Sequence, residues 1–160
     1  MLNKISPEIC FDCMQIALQL AKHAALQGEV PVGAVIADYQ GKIVAQAANQ
    51  KESAVNPCGH AEILALTAAA KQLNTWRLSG HLIYVTLEPC LMCMAAISQA
   101  RLDGVIFAAY DAKFGGAALY QQPVWQKKIN HRLSIIGGIG QNAASQILRN
   151  FFQQKRQTNR

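Results

Sequence analysis

Apolar positions recur at helical spacing in the first 28 residues of the chain. Ser6-Pro7-Glu8 has the features of a helix start: a capping side chain, a proline suited to the first turn and an acid near the positive end of the helix dipole. Gly28 provides a helix stop. The apolar face is formed by Phe11, Met14, Leu18, Ala21 and Ala25. This pattern predicts an amphipathic helix from about Ser6 to Gly28.

Strand-like and helix-like segments alternate along the rest of the chain. Two apolar runs flank the turn Tyr39-Gln40-Gly41 and predict a hairpin. A hairpin followed by alternating elements predicts an α/β fold in which a mixed sheet is covered on both faces. The stretch from Asp111 to Asn130 is the least regular, and long loops of this kind often carry function. The predicted elements after the first helix are strands Val30–Ala37 and Lys42–Ala48, helix His60–Leu73, strand His81–Leu87, helix Pro89–Gln99, strands Val105–Ala109 and Leu133–Ile136, and helix Gln141–Gln154.

Composition limits the class of protein. The chain has 160 residues, of which 51% are hydrophobic and 15% charged, and no linker is visible, so we predict a single domain over residues 1–160. No apolar run approaches the roughly 20 residues of a membrane span, and the N-terminal segment lacks the apolar core of a signal peptide. The five cysteines are therefore expected to be thiols or metal ligands in a cytoplasmic protein.

Basic residues exceed acidic ones, and the excess is concentrated at the C-terminus. The formal net charge is +6, which permits a polyanionic partner without requiring one. Residues 155–160 carry three cations, Lys155, Arg156 and Arg160, with no acid, and Arg149 lies upstream. This segment is predicted to be a basic C-terminal tail. Composition alone leaves open whether it binds nucleic acid or is only solvated.

Cys90 and Cys93 are the first candidates for metal ligands. They lie three residues apart at the start of a predicted helix and so share one face. A helix N-terminus lowers thiol pKa values, which favours the thiolates that zinc binds. Two thiolates do not complete a tetrahedral site, which needs about four ligands. A similar pair, Cys10 and Cys13, lies on the amphipathic N-terminal helix and is interpreted as structural.

His60-Ala61-Glu62 supplies a third ligand and a group able to move protons. Three protein ligands leave the fourth position to water, which is the arrangement of a catalytic zinc site. Glu62 would accept the water proton and deliver it to a ring nitrogen and to departing ammonia. A regular helix separates positions i and i+2 by about 200°, so both side chains must act at the helix end. Cys58 is a weaker candidate for the same ligand position.

The order His-x-Glu then Pro-Cys-x-x-Cys is the signature of zinc-dependent nucleobase deaminases. Along nearly its whole length the chain resembles the tRNA-specific adenosine deaminases of bacteria. That resemblance implies a cytidine-deaminase-like, three-layer α/β/α sandwich with a mixed five-stranded sheet. It also implies hydrolysis of the wobble adenosine of a tRNA anticodon to inosine, and a homodimer in which both subunits form the RNA site. The segments that carry it are Gly28–Val35, His60–Glu62, Trp76–Leu78, Tyr84–Cys93, Asp111–Lys113, Asn130–Arg132 and Phe151–Phe152.

By the same resemblance, further residues contact the substrate. Asn49 would hydrogen-bond the purine and the backbone N–H of Ala61 would face it, while Val32 and Leu87 would wall the pocket. Asp111 and Lys113 would lie in a loop near the RNA backbone. By spacing alone, Asn49 is only a turn residue and the loop positions are only polar. Phe151-Phe152 is consistent with stacking on RNA and also with core packing.

The chain departs from the family pattern at three places. Cys58-Gly59 stands where the family usually has Thr-Ala, and Tyr110 stands where an arginine or another polar residue is common. Ala118-Leu119 replaces the usual Gly-Ser. These changes leave the predicted metal ligands intact and affect the predicted RNA contacts.

Two other functions are consistent with the pattern. The first is the same reaction on a free base or nucleoside such as guanine, cytosine or cytidine. The second is a non-catalytic RNA-binding subunit with structural zinc. The presence of Glu62 and the lack of a convincing fourth ligand argue against the second.

Overall fold

The structure is a computed structural model that describes residues 5–158. Its elements are α1 (Pro7–Leu26), β1 (Gly33–Asp38), β2 (Ile43–Ala48), α2 (Ala61–Gln72), β3 (His81–Leu87), α3 (Leu91–Gln99), β4 (Gly104–Ala109), α4 (Ala117–Tyr120), α5 (Pro123–Gln126), β5 (Ser134–Gly137) and α6 (Gln141–Thr158). Among the described helices, none combines the length and the apolar character that crossing a bilayer requires.

The five strands form one mixed sheet in the order β2-β1-β3-β4-β5. β1 is antiparallel to both β2 and β3, whereas β3, β4 and β5 are parallel to one another. The predicted mixed five-stranded sheet is therefore confirmed. Because β3 and β4 are parallel, their carboxyl ends lie at the same edge, and the loops that follow both strands meet there.

Helices cover both faces of the sheet, as predicted. One apolar core joins α1 and α6 to alternate strand residues such as Val35 and Tyr84. The other joins α2 and α3 to the neighbouring residues, such as Ile36 and Val85. Side chains alternate across a strand, so a strand buried on both faces reads as a continuous apolar run. This is why the central strands were recognisable from their composition.

Two elements, β1 and α3, begin two or three residues later than predicted. β1 begins at Gly33 instead of Val30, since Pro31 has no N–H for the ladder and the Val32 N–H bonds to the Val30 carbonyl at 2.8 Å. A Cβ on Gly33 would lie 2.1 Å from the Ala17 carbonyl, so only glycine lets α1 pack this closely on β1. α3 begins at Leu91 instead of Pro89.

The irregular segment after β4 contains two short helices that the apolar pattern did not predict. The Tyr120 side chain links this segment to the end of α3, because its hydroxyl lies 2.9 Å from Ser98 Oγ. The same hydroxyl lies 3.0 Å from the His131 carbonyl. At the C-terminus, α6 continues through Lys155 and Arg156 to Thr158. That part of the predicted basic tail is helical, while Arg160 lies outside the described residues.

Candidate active site

Three side chains able to bind a metal converge at the starts of α2 and α3. His60 Nδ1 lies 3.5 Å from Cys93 Sγ and 3.8 Å from Cys90 Sγ, and the two sulfurs are 3.6 Å apart. In tetrahedral zinc sites, metal–ligand bonds of about 2.0–2.3 Å put neighbouring donor atoms roughly 3.5–3.8 Å apart. The observed distances match three corners of such a site. Among the described residues, no fourth histidine, cysteine or carboxylate joins the group.

Helix starts bring these ligands together. His60 is the N-cap of α2, with φ −73° and ψ 144°, and Cys90 is the N-cap of α3, with φ −69° and ψ 171°. Cys93 lies in the first turn of α3 and is fully buried. Both helix dipoles therefore point their positive ends at the sulfurs, which stabilises negative charge there.

The pKa values of the two thiols shift in opposite directions. The hydrogen bond between the Cys90 and Cys93 sulfurs, which lie 3.6 Å apart, is the main reason that the pKa of Cys90 falls to about 5. The same bond, together with burial, raises the pKa of Cys93. A lowered pKa favours the thiolate, the form in which cysteine binds metals.

Glu62 lies beside all three potential ligands and is 4% exposed. Burial raises its pKa, while a hydrogen bond from its own backbone N–H and the nearby His60 partly oppose the rise. The predicted conflict between positions i and i+2 does not arise, because His60 has an extended backbone and only Glu62 is inside the helix. A carboxyl group with a raised pKa is suited to exchanging protons near neutral pH.

The predicted pocket residues lie in four different parts of the chain. Ala61 is fully buried in the first position of α2, where a helix N–H has no carbonyl one turn earlier to bond. Asn49 is buried, and its backbone N–H donates to the Val32 carbonyl at 2.9 Å. Leu87 ends β3 and leads directly into the turn that carries Cys90. The structure therefore brings Asn49 and Val32 into contact, and it places Ala61 and Leu87 next to metal-binding positions in the chain.

Asp111 and Lys113 lie in one loop but have different environments. The Asp111 carboxylate accepts from the Lys113 and Phe114 N–H groups at 2.9 and 3.1 Å, so it closes the turn itself. Lys113 is exposed. Of the two, only Lys113 has its charge directed to solvent.

Sequence reasoning missed two buried carboxylates that organise the loops of the site. Glu88 accepts from the Asp111 and Ala117 N–H groups, both at 3.1 Å, and the neighbouring Gly116 N–H bonds to the Pro89 carbonyl at 2.9 Å. Glu29 is 1% exposed and binds the loop after β2. Each is an acid within a buried apolar stretch. That signal was available in the sequence, because such an acid needs partners.

The other cysteines lie outside the cluster. Cys10 and Cys13 pack in the core beneath α1 and α6, on the other face of the sheet. Burial raises the pKa of Cys10 and raises that of Cys13 to about 11, so both are thiols at neutral pH. Cys58 is exposed and is not part of the group of donor atoms.

Comparison with known proteins finds deaminases. The model of the MafB19-like deaminase family matches residues 10–156. The chain is 38% identical over 143 residues to a tRNA-specific adenosine deaminase of Bacillus subtilis, covering 89% of this chain and 88% of the relative. Both matches span the helix starts that hold the candidate site.

Solved structures share the fold. One, from work on A-to-I editing by tRNA:A34 deaminases at the wobble position of transfer RNA, has a TM-score of 0.79 at 34% identity and covers 86% of this chain and 99% of that chain. A guanine deaminase from Bacillus subtilis has a TM-score of 0.62 at 28% identity and covers 91% of this chain and 95% of that chain. The three-layer arrangement is thus common to deaminases named for different substrates.

Proposed function

The chain belongs to the tRNA-specific adenosine deaminase family, and we propose that it hydrolyses the wobble adenosine of a tRNA anticodon to inosine and ammonia. The observation that carries this proposal is the convergence of His60, Cys90 and Cys93 beside the buried Glu62. The similarity to tRNA deaminases exceeds the 28% identity to the guanine deaminase, which favours tRNA over a free base. Because tRNA is the substrate, the reaction belongs to the cytoplasm.

Zinc is the metal that best suits one imidazole and two thiolates at these distances. When bound, zinc lowers the pKa of a water ligand and so makes a nucleophile available at neutral pH. His60, Cys90 and Cys93 would hold the metal. Glu62 would accept one proton from the attacking water and give it to the purine ring nitrogen, and would then carry the second proton of that water to the amine, which leaves as ammonia. The burial of Glu62 keeps bulk water from competing for these protons.

The base is held by groups around the metal ligands. Asn49 and the N–H of Ala61 supply polar contacts, and Val32 and Leu87 supply apolar walls. The wobble base must leave the anticodon stack to reach a buried carboxylate, and unstacking costs less in a single-stranded loop than in a duplex. This favours an anticodon loop over double-stranded RNA.

Contacts beyond the base come from Lys113 and from the basic end of α6. Asp111 acts by shaping the loop that carries Lys113, since its carboxylate accepts two N–H groups of that turn. Lys155 and Arg156 are exposed in the last turn of α6. Lys155 Nζ lies 4.0 Å from the place that a Cβ on Gly28 would occupy. Gly28 comes immediately before Glu29 and the segment that carries Val32. The end of α6 is therefore included in the proposed RNA surface.

The proposed enzyme is a homodimer. An open apolar depression on α2 and α3 includes Ile63, Thr67 and Ala96, with Trp76 at 53% exposure. Exposed apolar surface of this kind on the helices that carry the metal ligands is suited to a second copy of the chain. Such an interface would put both subunits near each RNA site.

Inosine mapping on bulk tRNA tests the proposal directly. Purified protein is expected to convert adenosine to inosine at the wobble position, with ammonia released in equal amount. Parallel assays on guanine, cytosine and cytidine address the free-base alternative, which turnover on those compounds without tRNA editing would support. Zinc-loaded protein that binds tRNA without releasing ammonia would instead support the RNA-binding alternative.

A further inference from the structure

A buried carboxylate, Glu29, collects the hydrogen-bond donors of the loop that follows β2. Its Oε1 accepts from the Ser53 N–H and hydroxyl, both at 2.8 Å. Its Oε2 accepts from the Lys51 and Glu52 N–H groups at 3.0 and 3.1 Å, and from Asn49 Nδ2 at 3.4 Å. Both carboxylate oxygens are therefore committed to one short stretch of chain.

These contacts keep Glu29 ionised. Burial by itself raises its pKa, but the hydrogen bonds from Ser53, Glu52 and Lys51 outweigh burial, and the pKa is lowered overall. An ionised carboxylate only accepts hydrogen bonds. Any amide beside it must therefore turn its NH₂ group, and not its oxygen, toward Glu29.

That requirement fixes the orientation of the Asn49 side chain. Nδ2 faces Glu29, so Oδ1 points elsewhere, and no donor within residues 5–158 is hydrogen-bonded to Oδ1. The oxygen and the second N–H of Asn49 remain for a ligand. Without a carboxylate at this position the amide could turn over, since its two ends are nearly identical in shape.

The same loop is joined to the metal-binding segment. The Gln50 N–H donates to the Gly59 carbonyl at 2.9 Å, one residue before His60. A Cβ on Gly59 would lie 2.8 Å from the Gln50 carbonyl, so the two stretches are in direct contact. Asn49 is thus held close to the metal ligands by its backbone and held in orientation by Glu29.

We infer that Glu29 is a positioning residue for the deamination, acting through Asn49 by presenting the amide to the purine in one orientation. The inference rests on the proposed function and deepens it by assigning base recognition to a pair of side chains. Glu29 itself does not touch the substrate.

A double-mutant cycle on an anticodon stem-loop tests this inference. Glu29→Gln keeps the shape but can donate as well as accept, so it no longer dictates the orientation of Asn49. We expect Glu29→Gln and Asn49→Ala each to lower kcat/KM by roughly 10- to 100-fold. Because both changes remove the same contact, the double variant is expected to be no worse than Asn49→Ala alone. Zinc content should stay at the wild-type level in all three.

Ser53→Ala is the matched control, because it removes one hydrogen bond to Glu29 without touching Asn49. It reports the effect of a looser loop, and we expect kcat/KM within about threefold of wild type. If Glu29→Gln does not fold, Glu29→Asp replaces it in the cycle, since Asp keeps the charge but is one methylene too short.

The outcomes separate this inference from the proposed function. If the double variant lost kcat/KM by the product of the two single losses, Glu29 and Asn49 would act independently, and the positioning role would be overturned. Full activity of Glu29→Gln would overturn it too. Neither result would contradict tRNA deamination. Full activity of Asn49→Ala would remove the contact through which Glu29 acts and would overturn the positioning role as well. A wild-type protein that forms no inosine would contradict the proposed function itself.

Discussion

The proton-transfer role proposed for Glu62 can be separated from its packing role by an isosteric substitution. Glu62→Gln keeps the size of the side chain but cannot carry a proton. We expect turnover to fall by about 10²–10⁴-fold while zinc content and thermal stability stay close to wild type. Ammonia release and elemental analysis on the same preparation measure both quantities. Near-normal turnover in zinc-loaded protein would assign the proton transfer to another group.

The metal ligands can be distinguished from the other cysteines by zinc content. Cys90→Ala and Cys93→Ala each remove one of three protein ligands and are expected to lose most of the metal and the activity. Cys58→Ala is the matched control because Cys58 lies two residues from His60 yet is exposed. Cys10→Ala, in the other core, should also keep its zinc. Full zinc in both Cys90→Ala and Cys93→Ala would disprove the ligand assignment.

At the residue level, sequence reasoning reached the groups whose chemistry is visible in their type and spacing. The prediction that His60 joins Cys90 and Cys93 agrees with the cluster that the structure contains. The partners of Glu29 could not be predicted, because they are backbone N–H groups at residues 51–53 and any residue type can supply those. A hydrogen bond to a backbone leaves no mark on the sequence of the donor.

The basic end of α6 should contribute to RNA binding through charge. Each phosphate contact adds about 0.7–0.9 to the slope of log affinity against log salt. Lys155→Gln and Arg156→Gln are each expected to weaken tRNA binding and to flatten that slope by about this amount, with zinc unchanged. Truncation after Gln154 should combine the two effects.

Lys42→Gln is the control for this prediction. Lys42 is an exposed cation just before β2, whereas Asn49 follows the other end of that strand. Lys42→Gln removes one positive charge away from the proposed RNA surface, and it should leave the slope of log tRNA affinity against log salt unchanged. An unchanged slope in Lys155→Gln and Arg156→Gln would mean that the end of α6 is only solvated.

Elements with a strong apolar pattern were predicted closely, and their starts were predicted less well. β3 was predicted over the residues that form it, because it is buried on both faces and bounded by polar residues. The start of α3 was set two residues early, because Cys90 is an N-cap bridged to Gly115 and that contact joins distant parts of the chain. α4 and α5 have four residues each, too few to produce a periodic pattern.

For the whole molecule, the apolar face of α2 and α3 predicts association. Thr67→Arg puts a charge on that face at an exposed position, where a monomer would tolerate it. We expect wild-type protein to have the mass of a dimer in light scattering and Thr67→Arg to shift toward the monomer. Gln19→Arg, exposed on α1 across the sheet, should remain dimeric. Wild-type protein of monomeric mass at assay concentration would contradict the proposed dimer.

The attachment of the 111–117 loop to the metal-binding turn has a consequence for directed evolution. A Cβ on Gly115 would lie 2.4 Å from the Glu88 carboxyl carbon, so this position accepts no side chain while the loop packs on Glu88. Side chains on its outer surface are largely exposed: Phe114 is 71% exposed, and the adjacent Tyr110 is 59% exposed with its ring edge against Phe107. Ala118 and Leu119 in α4 are likewise exposed. A library that randomises positions 110, 113, 114, 118 and 119 would therefore sample new substrate preferences while most of its members keep a working metal centre.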